Sequence, residues 1–147
     1  MSDFATIKEI DDAARFSSQN IEIYEKQGIG RSVCALKDFV VDEIICSYGG
    51  RCFESDDAPE SDYVLTLNKN LVIDGNPLFP ESQGHIGNYI NDANGPIRCG
   101  ENNARFSVGR LKTPNGVKRV VWIKAQRPIV AKTDVLIPYG KNFWQSN

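Results

Sequence analysis

Gly84-His85-Ile86-Gly87-Asn88-Tyr89-Ile90-Asn91-Asp92-Ala93-Asn94, continued by residues 95–101 and then Asn102-Asn103-Ala104-Arg105-Phe106, is the stretch from which the fold can be read. It is crowded with Asn and Gly, residues that mark turns because they tolerate left-handed backbone or bond their own main chain. Yet Ile86, Tyr89 and Ile90 recur at one-turn helical spacing, so the turns are expected to be buried rather than solvated. A buried loop must satisfy its own N–H and C=O groups, and Asn, with donor and acceptor together, suits that task. Loops held by a scaffold in this way are where binding sites tend to lie.

Downstream, residues 103–108 and 117–124 alternate as a hairpin, with Pro114-Asn115-Gly116 for its turn. Residues 127–132 lead into a last strand, 134–138. Upstream, residues 62–67 and 71–74 form a second hairpin around Asn68-Lys69-Asn70, and Pro77 and Pro80 frame a connecting loop. Residues 54–62 are acidic and loop-like: Glu54, Asp56, Asp57, Glu60 and Asp62 surround Pro59. Earlier still, strands are expected over 21–25, 32–36 and 43–48, the first two joined by Lys26-Gln27-Gly28-Ile29-Gly30-Arg31 and the last stopped by Gly49-Gly50. Residues 4–16 have the spacing of a short amphipathic helix. The pattern is mainly β, with no internal repeat and no linker. Residues 1–20 are a helical N-terminal extension and 21–147 one globular unit.

The chain's 147 residues, 41% of them hydrophobic, suffice for one domain with its own core. A net charge of -2 argues against a general nucleic-acid binder and fits a positively charged partner. No apolar run is long enough to span a bilayer. The start, Met1-Ser2-Asp3-Phe4, lacks a signal-peptide pattern, so an intracellular location is expected. Cys34, Cys46, Cys52 and Cys99 form no Cys-x-x-Cys pair and have only His85 to join them, so neither a zinc site nor disulfides are expected.

Four ordered pieces resemble the SET domain of protein lysine methyltransferases. Gly28-Ile29-Gly30-Arg31, with the strand and turn that follow, is similar to the family's Gly-x-Gly turn. Tyr48-Gly49-Gly50 is the second piece. The third is residues 84–93 with Asn103, similar to Gly-Asn-x-x-Arg-Phe-x-Asn-His-Ser and a downstream Asn. The fourth is residues 121–129 with Asp134-Val135-Leu136-Ile137-Pro138-Tyr139-Gly140. His85, Asn88, Asp92 and Ala93 stand where the family commonly has Asn, Arg, His and Ser, and the zinc-binding flanks of many members are absent. In this the chain is similar to minimal types such as the small viral SET proteins.

The resemblance implies several small twisted sheets with few short helices and a C-terminal pseudoknot. It also implies methyl transfer from S-adenosylmethionine to a lysine, with a histone tail as the expected substrate, which would place the protein in the nucleus. No metal is needed. On the matched positions, Tyr139 is the catalytic tyrosine and also meets the cofactor, and Tyr48 lines the lysine channel and joins the catalytic set. Gly28, Ile29, Gly30 and Arg31 offer backbone to the cofactor, with Asn91, Asp92 and Trp144. Tyr63, Phe106, Ile137 and Phe143 are the other expected channel residues. Each has a plainer reading: Tyr48, Tyr63 and Tyr139 as packed aromatics, Phe143 and Trp144 as a hydrophobic C-terminal anchor. The acidic residues 54–62 would attract a basic tail. The alternative is a non-catalytic module that binds S-adenosylmethionine or a lysine-containing peptide. A structural interaction domain without the cofactor is a third reading, which the intact Gly28, Gly30, Asn91 and Tyr139 oppose.

Overall fold

The computed structural model describes residues 4–14, 20–28, 30–57, 64–93 and 101–138. They form one helix, α1 (Ile7–Ala14), and eight strands: β1 (Ile21–Lys26), β2 (Gly30–Ala35), β3 (Ile44–Tyr48), β4 (Arg51–Glu54), β5 (Val64–Asn68), β6 (Leu71–Asp74), β7 (Ala104–Thr113) and β8 (Gly116–Ala125). Short 3-10 turns cover Ser55–Asp57, Pro80–Ser82 and Ile86–Tyr89. The strands make three small antiparallel sheets, ordered β1-β2, β3-β8-β7 and β4-β6-β5. The mainly β architecture expected from the sequence is the one observed. The expected threading of the chain's end involves 139–147, which lie outside the described residues.

β8 is the spine. It sits between β3 and β7, and its run Val120-Val121-Trp122-Ile123 is buried throughout, as a central strand covered on both faces requires. β7 alternates in burial along most of its length and pairs with β8 from Ala104↔Ala125 to Thr113↔Gly116. The hairpin turns on Pro114-Asn115, and Gly116 takes φ 107°, a left-handed value that glycine adopts without strain. The main core gathers Val33, Phe39, Ile45, Tyr48, Ile73, Ile90, Phe106, Val121, Ile123 and Ile137 from all three sheets.

α1 begins with a reciprocal cap. The Thr6 N–H donates to Glu9 Oε1 at 2.9 Å, and the Glu9 N–H donates to Thr6 Oγ1 at 3.2 Å. The other Glu9 oxygen accepts from Asn115 Nδ2 at 2.9 Å and from the Thr113 hydroxyl at 3.2 Å, tying the helix to the β7–β8 turn. These donors hold the Glu9 carboxyl down at about 2, the Thr6 N–H contributing most. Ile10 and Ala5 close a second cluster with Val120 and Trp122.

Two expectations need correction. Arg51–Glu54 is a strand, paired with β6 from Arg51↔Asp74 to Glu54↔Leu71, although Gly49-Gly50 reads as a stop. Residues 134–138 form no continuous strand: Asp134 bridges Cys34 antiparallel and Leu136 bridges Asn91 parallel, so the segment passes between two partners. Apart from these two corrections, the backbone repeats a shape that has no counterpart as a sequence repeat. Phe39 and Ile129 donate N–H to each other's carbonyl, at 2.8 and 2.9 Å. Asp42 N–H to Ala125 O (2.8 Å) matches Lys132 N–H to Ala35 O (2.7 Å), and Ala125 N–H to Glu43 O (3.0 Å) matches Ala35 N–H to Thr133 O (2.9 Å). Asp42 and Lys132 adopt φ 71° and 72°. Residues 35–43 and 125–133 are thus one backbone shape used twice and paired about a local two-fold.

Candidate functional site

The site is assembled at the β1–β2 turn. Gly28 and Gly30 hold φ 84° and 100°, and a side chain at Gly30 would meet nothing within 4 Å, so a ligand can lie against bare backbone there. Arg31 follows on β2, its guanidinium 5.2 Å from the centre of the Tyr89 ring.

Asn91 brings the separated pieces together. Its Nδ2 donates to the Arg31 carbonyl at 3.0 Å and to Ser32 Oγ at 2.9 Å, while its own carbonyl accepts from the Ile137 N–H at 2.9 Å. Residues from the first, third and fourth sequence pieces therefore meet through one side chain and its backbone. Asn103 adds a second junction: its Nδ2 donates to the Asp134 carbonyl and its Oδ1 accepts from the Leu136 N–H, both at 2.9 Å. Asp134 returns the connection to β1, accepting from the Tyr24 hydroxyl and from Lys26 Nζ, each at 2.6 Å. Burial, then the bond to Asp134, raises the Tyr24 phenol above its ordinary range. Asp92 accepts from Asn102 Nδ2 at 3.1 Å, and Asn102 Oδ1 accepts from the Ala93 N–H at 2.8 Å, so residues 92–93 and 102 are joined directly.

Tyr48 ends β3, buried to 2% exposure, with its ring edge-on to Phe106 at 5.5 Å. Ile137 is fully buried in the same core cluster. Tyr48, Phe106 and Ile137 thus stand together, but inside the core. Ile29, Tyr63, Tyr139, Phe143 and Trp144 lie outside the described residues. Of the acidic stretch, Glu54, Asp56 and Asp57 are described and exposed.

Two residues in the opening stretch have site-building roles that their types alone did not reveal. Asn88 is buried, accepts from the Gly49 N–H at 3.1 Å, and donates from Nδ2 to the carbonyls of Gly49 and Gly75 at 2.7 Å each. His85 is buried with Nδ1 2.8 Å from Ser47 Oγ, and burial pushes its pKa down to about 4. The available signal was the Gly-x-x-Gly-Asn spacing beside an apolar periodicity, which marks close packing without naming the partner.

A cleft of about 850 Å³ lies elsewhere, between Phe4, Ile7, Pro80, Gln83, His85 and the Tyr48 end of β3. None of Gly28, Gly30, Arg31, Asn91 or Asp92 lines it, whereas Tyr48 does. Among the described residues no three His, Cys, Asp or Glu side chains are grouped to hold a metal. No described helix is long and apolar enough to cross a membrane.

No protein-family profile matches the chain, and no curated protein does. Solved structures do. One is the crystal structure of a Plasmodium falciparum "putative histone methyltransferase", 19% identical, with a TM-score of 0.55 over 87% of this chain and 99% of that one. The chain shares the fold of that protein.

Proposed function

We propose that the chain is an S-adenosylmethionine-dependent protein-lysine methyltransferase of the SET type, acting on a basic tail such as that of a histone. The observation that carries this reading is the junction at Asn91. Residues 28–31, 91 and 136–137, far apart in sequence, are joined by its bonds to Arg31, Ser32 and Ile137. These are the pieces whose order resembles the SET pattern. The likeness in fold to the Plasmodium falciparum "putative histone methyltransferase" supports the same reading.

The described residues fit the cofactor. The open space at Gly30 and the left-handed backbone at Gly28 and Gly30 leave room for a methionine-like group against the main chain, with Asn91 tied to Arg31 and Ser32 nearby, while Ile29, Asp92, Tyr139 and Trp144 are assigned to the cofactor by resemblance alone. S-adenosylmethionine supplies an electrophilic methyl group on a positively charged sulfur. The chain's part is to hold the target amine neutral and aligned. An apolar surround lowers a lysine pKa, and the Tyr48–Phe106 pair with Ile137 provides such a surround next to Tyr139 in sequence. Holding the reacting atoms in line accounts for much of the rate in reactions of this class. The Tyr139 hydroxyl, two residues beyond Ile137, is the group assigned to orient the amine. The exposed carboxylates of Glu54, Asp56 and Asp57 would favour encounter with a basic tail.

A second reading, a module that binds S-adenosylmethionine or a lysine peptide without turnover, is favoured by Asp92-Ala93, where the pattern expects His-Ser. The Asp92 carboxylate is occupied by Asn102. Incubation with methyl-labelled S-adenosylmethionine, core histones and a protein extract separates the two. Transfer abolished by Tyr139→Phe supports catalysis; cofactor binding by calorimetry without transfer to any substrate supports the module. Transfer unchanged in Tyr139→Phe would remove Tyr139 from the mechanism.

A further inference from the structure

Tyr48 ends its strand on two glycines, Gly49-Gly50, which cannot hold a shape by themselves. The Phe106 ring packs edge-on to the tyrosine at 5.5 Å, and the segment that follows the strand is held from outside it. We propose that Asn88 is a positioning residue that sets the Tyr48 hydroxyl in the lysine site, an inference that rests on the reading of Tyr48 given above.

Asn88 treats Gly49 as a strand neighbour would, accepting from its N–H at 3.1 Å and donating to its carbonyl at 2.7 Å. Its second Nδ2 hydrogen goes to the Gly75 carbonyl at 2.7 Å. One buried amide therefore sets the spacing between residue 49, beside Tyr48, and residue 75. That spacing matters because Gly75 lies against the tyrosine: a Cβ there would fall 2.3 Å from the Tyr48 hydroxyl oxygen.

The neighbours leave no slack. A Cβ at Gly49 would sit 2.2 Å from the His85 ring, and one at Gly87 would sit 2.5 Å from the Ser47 carbonyl oxygen. His85 holds Ser47, the residue before Tyr48, through its hydroxyl at 2.8 Å. The Gly-His-Ile-Gly-Asn run thus brackets residues 47–49 from one side while Gly75 closes the other. Backbone pairing with β8 places Tyr48 opposite Val121 but does not fix the far end of its ring. To that pairing and the edge-on Phe106 ring, Asn88 adds a constraint of its own by tying residue 49 to residue 75.

Asn88→Asp keeps the size and the acceptor and loses both donors. Gly75→Ala presses on the hydroxyl directly and leaves Asn88 intact. Both are made in protein carrying ¹³C at tyrosine Cζ, with the Tyr48 resonance identified by its loss in Tyr48→Phe. The expected result is a displaced Tyr48 resonance in both variants, and kcat for methyl transfer to histones lowered by about 10- to 100-fold with the cofactor Kd unchanged. A lower Tm with an unmoved Tyr48 resonance and unchanged kcat per folded molecule would overturn the proposal and leave Asn88 a packing residue. If Asn88→Asp does not fold, Asn88→Ser, which shortens the side chain without adding charge, takes its place. If the wild-type chain transfers no methyl group to any substrate, the reading of the site fails separately, and the resonance alone decides: displaced, the bracket stands; unmoved, it falls.

Discussion

Phe39 and Ile129 each donate a backbone N–H to the other's carbonyl, at 2.8 and 2.9 Å, with both side chains 2% exposed. This exchange is the centre of the local two-fold that relates 35–43 to 125–133, and it locks the turn after β2 to the turn after β8. Removing the larger side chain, Phe39→Ala, is expected to cost about 3–5 kcal/mol, and Ile129→Val about 0.5–1.5 kcal/mol. Chemical denaturation of the two variants measures both. The larger loss is comparable to the whole stability of a small domain, so Phe39→Ala should be largely unfolded at moderate temperature.

The same two-fold places non-glycine residues at φ 71° and 72°. Asp42 is tied to Arg105 at 2.7 Å, so a change there would disturb an ion pair together with the backbone, and Lys132 is the better probe. Lys132→Gly should therefore raise stability by up to about 1 kcal/mol, and Lys132→Val, whose branched side chain resists left-handed backbone, should lower it. Thermal melts of the pair give opposite signs if backbone strain at 132 is real.

Asn91→Ala removes the donations to Arg31 O and Ser32 Oγ. The stability loss should be about 1–3 kcal/mol, since the acceptors lose their partner in a half-buried setting. Affinity for S-adenosylmethionine should fall about tenfold or more, which at 25 °C is about 1.4 kcal/mol. Calorimetry of the folded variant reads the second effect apart from the first.

His85 is the chain's single histidine, which makes its titration unambiguous. Burial lowers its pKa from 6.5 to about 4, so between those values the unfolded chain binds the proton and the folded chain does not. Stability contributed by the neutral imidazole is fully present above about 6.5 and is lost as pH falls to about 4, by roughly 3 kcal/mol if the whole shift is expressed. Denaturant unfolding as a function of pH should show this slope in wild type and a flatter profile over the same window in His85→Asn.

Glu9 titrates lower. Its carboxyl is held at about 2 by the Thr6 N–H and the Asn115 amide, against 4.5 ordinarily. Its contribution is present above about 4.5 and is lost as pH falls toward 2, a window below that of His85. Glu9→Gln should remove this acid-side slope and loosen α1 from the β7–β8 turn, seen as faster amide exchange at Glu9, whose N–H is bonded to Thr6.

Local pattern was legible where local chemistry decides. The hairpins at 64–74 and 104–125 follow from alternation plus Asn-rich or Pro-Asn-Gly turns, and the one-turn spacing of Ile86, Tyr89 and Ile90 became a buried 3-10 turn. β4 was hidden because Gly49-Gly50 looks like a stop, while its partner β6 and the Asn88 amide that receives the Gly49 N–H lie farther along the chain. Residues 134–138 have the composition of a strand, yet their partners, Cys34 and Asn91, lie in different parts of the chain. The two-fold is carried by backbone bonds between segments that share few side chains, so no sequence comparison within the chain exposes it. Of the candidate site, Gly28, Gly30, Arg31 and Asn91 are expected from resemblance, and the structure joins Asn91 to Arg31. The bracket of His85 and Asn88 is not, because its meaning resides in Ser47, Gly49 and Gly75.

The junction at Asn91 also imposes an order in time. Residues 136–137 leave the ribosome after every other described contributor to it, and until they arrive the carbonyl of Asn91 lacks its Ile137 donor. A nascent chain halted before that point carries the glycine turn and the asparagine but no closed junction. Loading of a small molecule there would then report that residues 136–137 have emerged, and a ribosome-stalled series of increasing length would show it appearing in a single step.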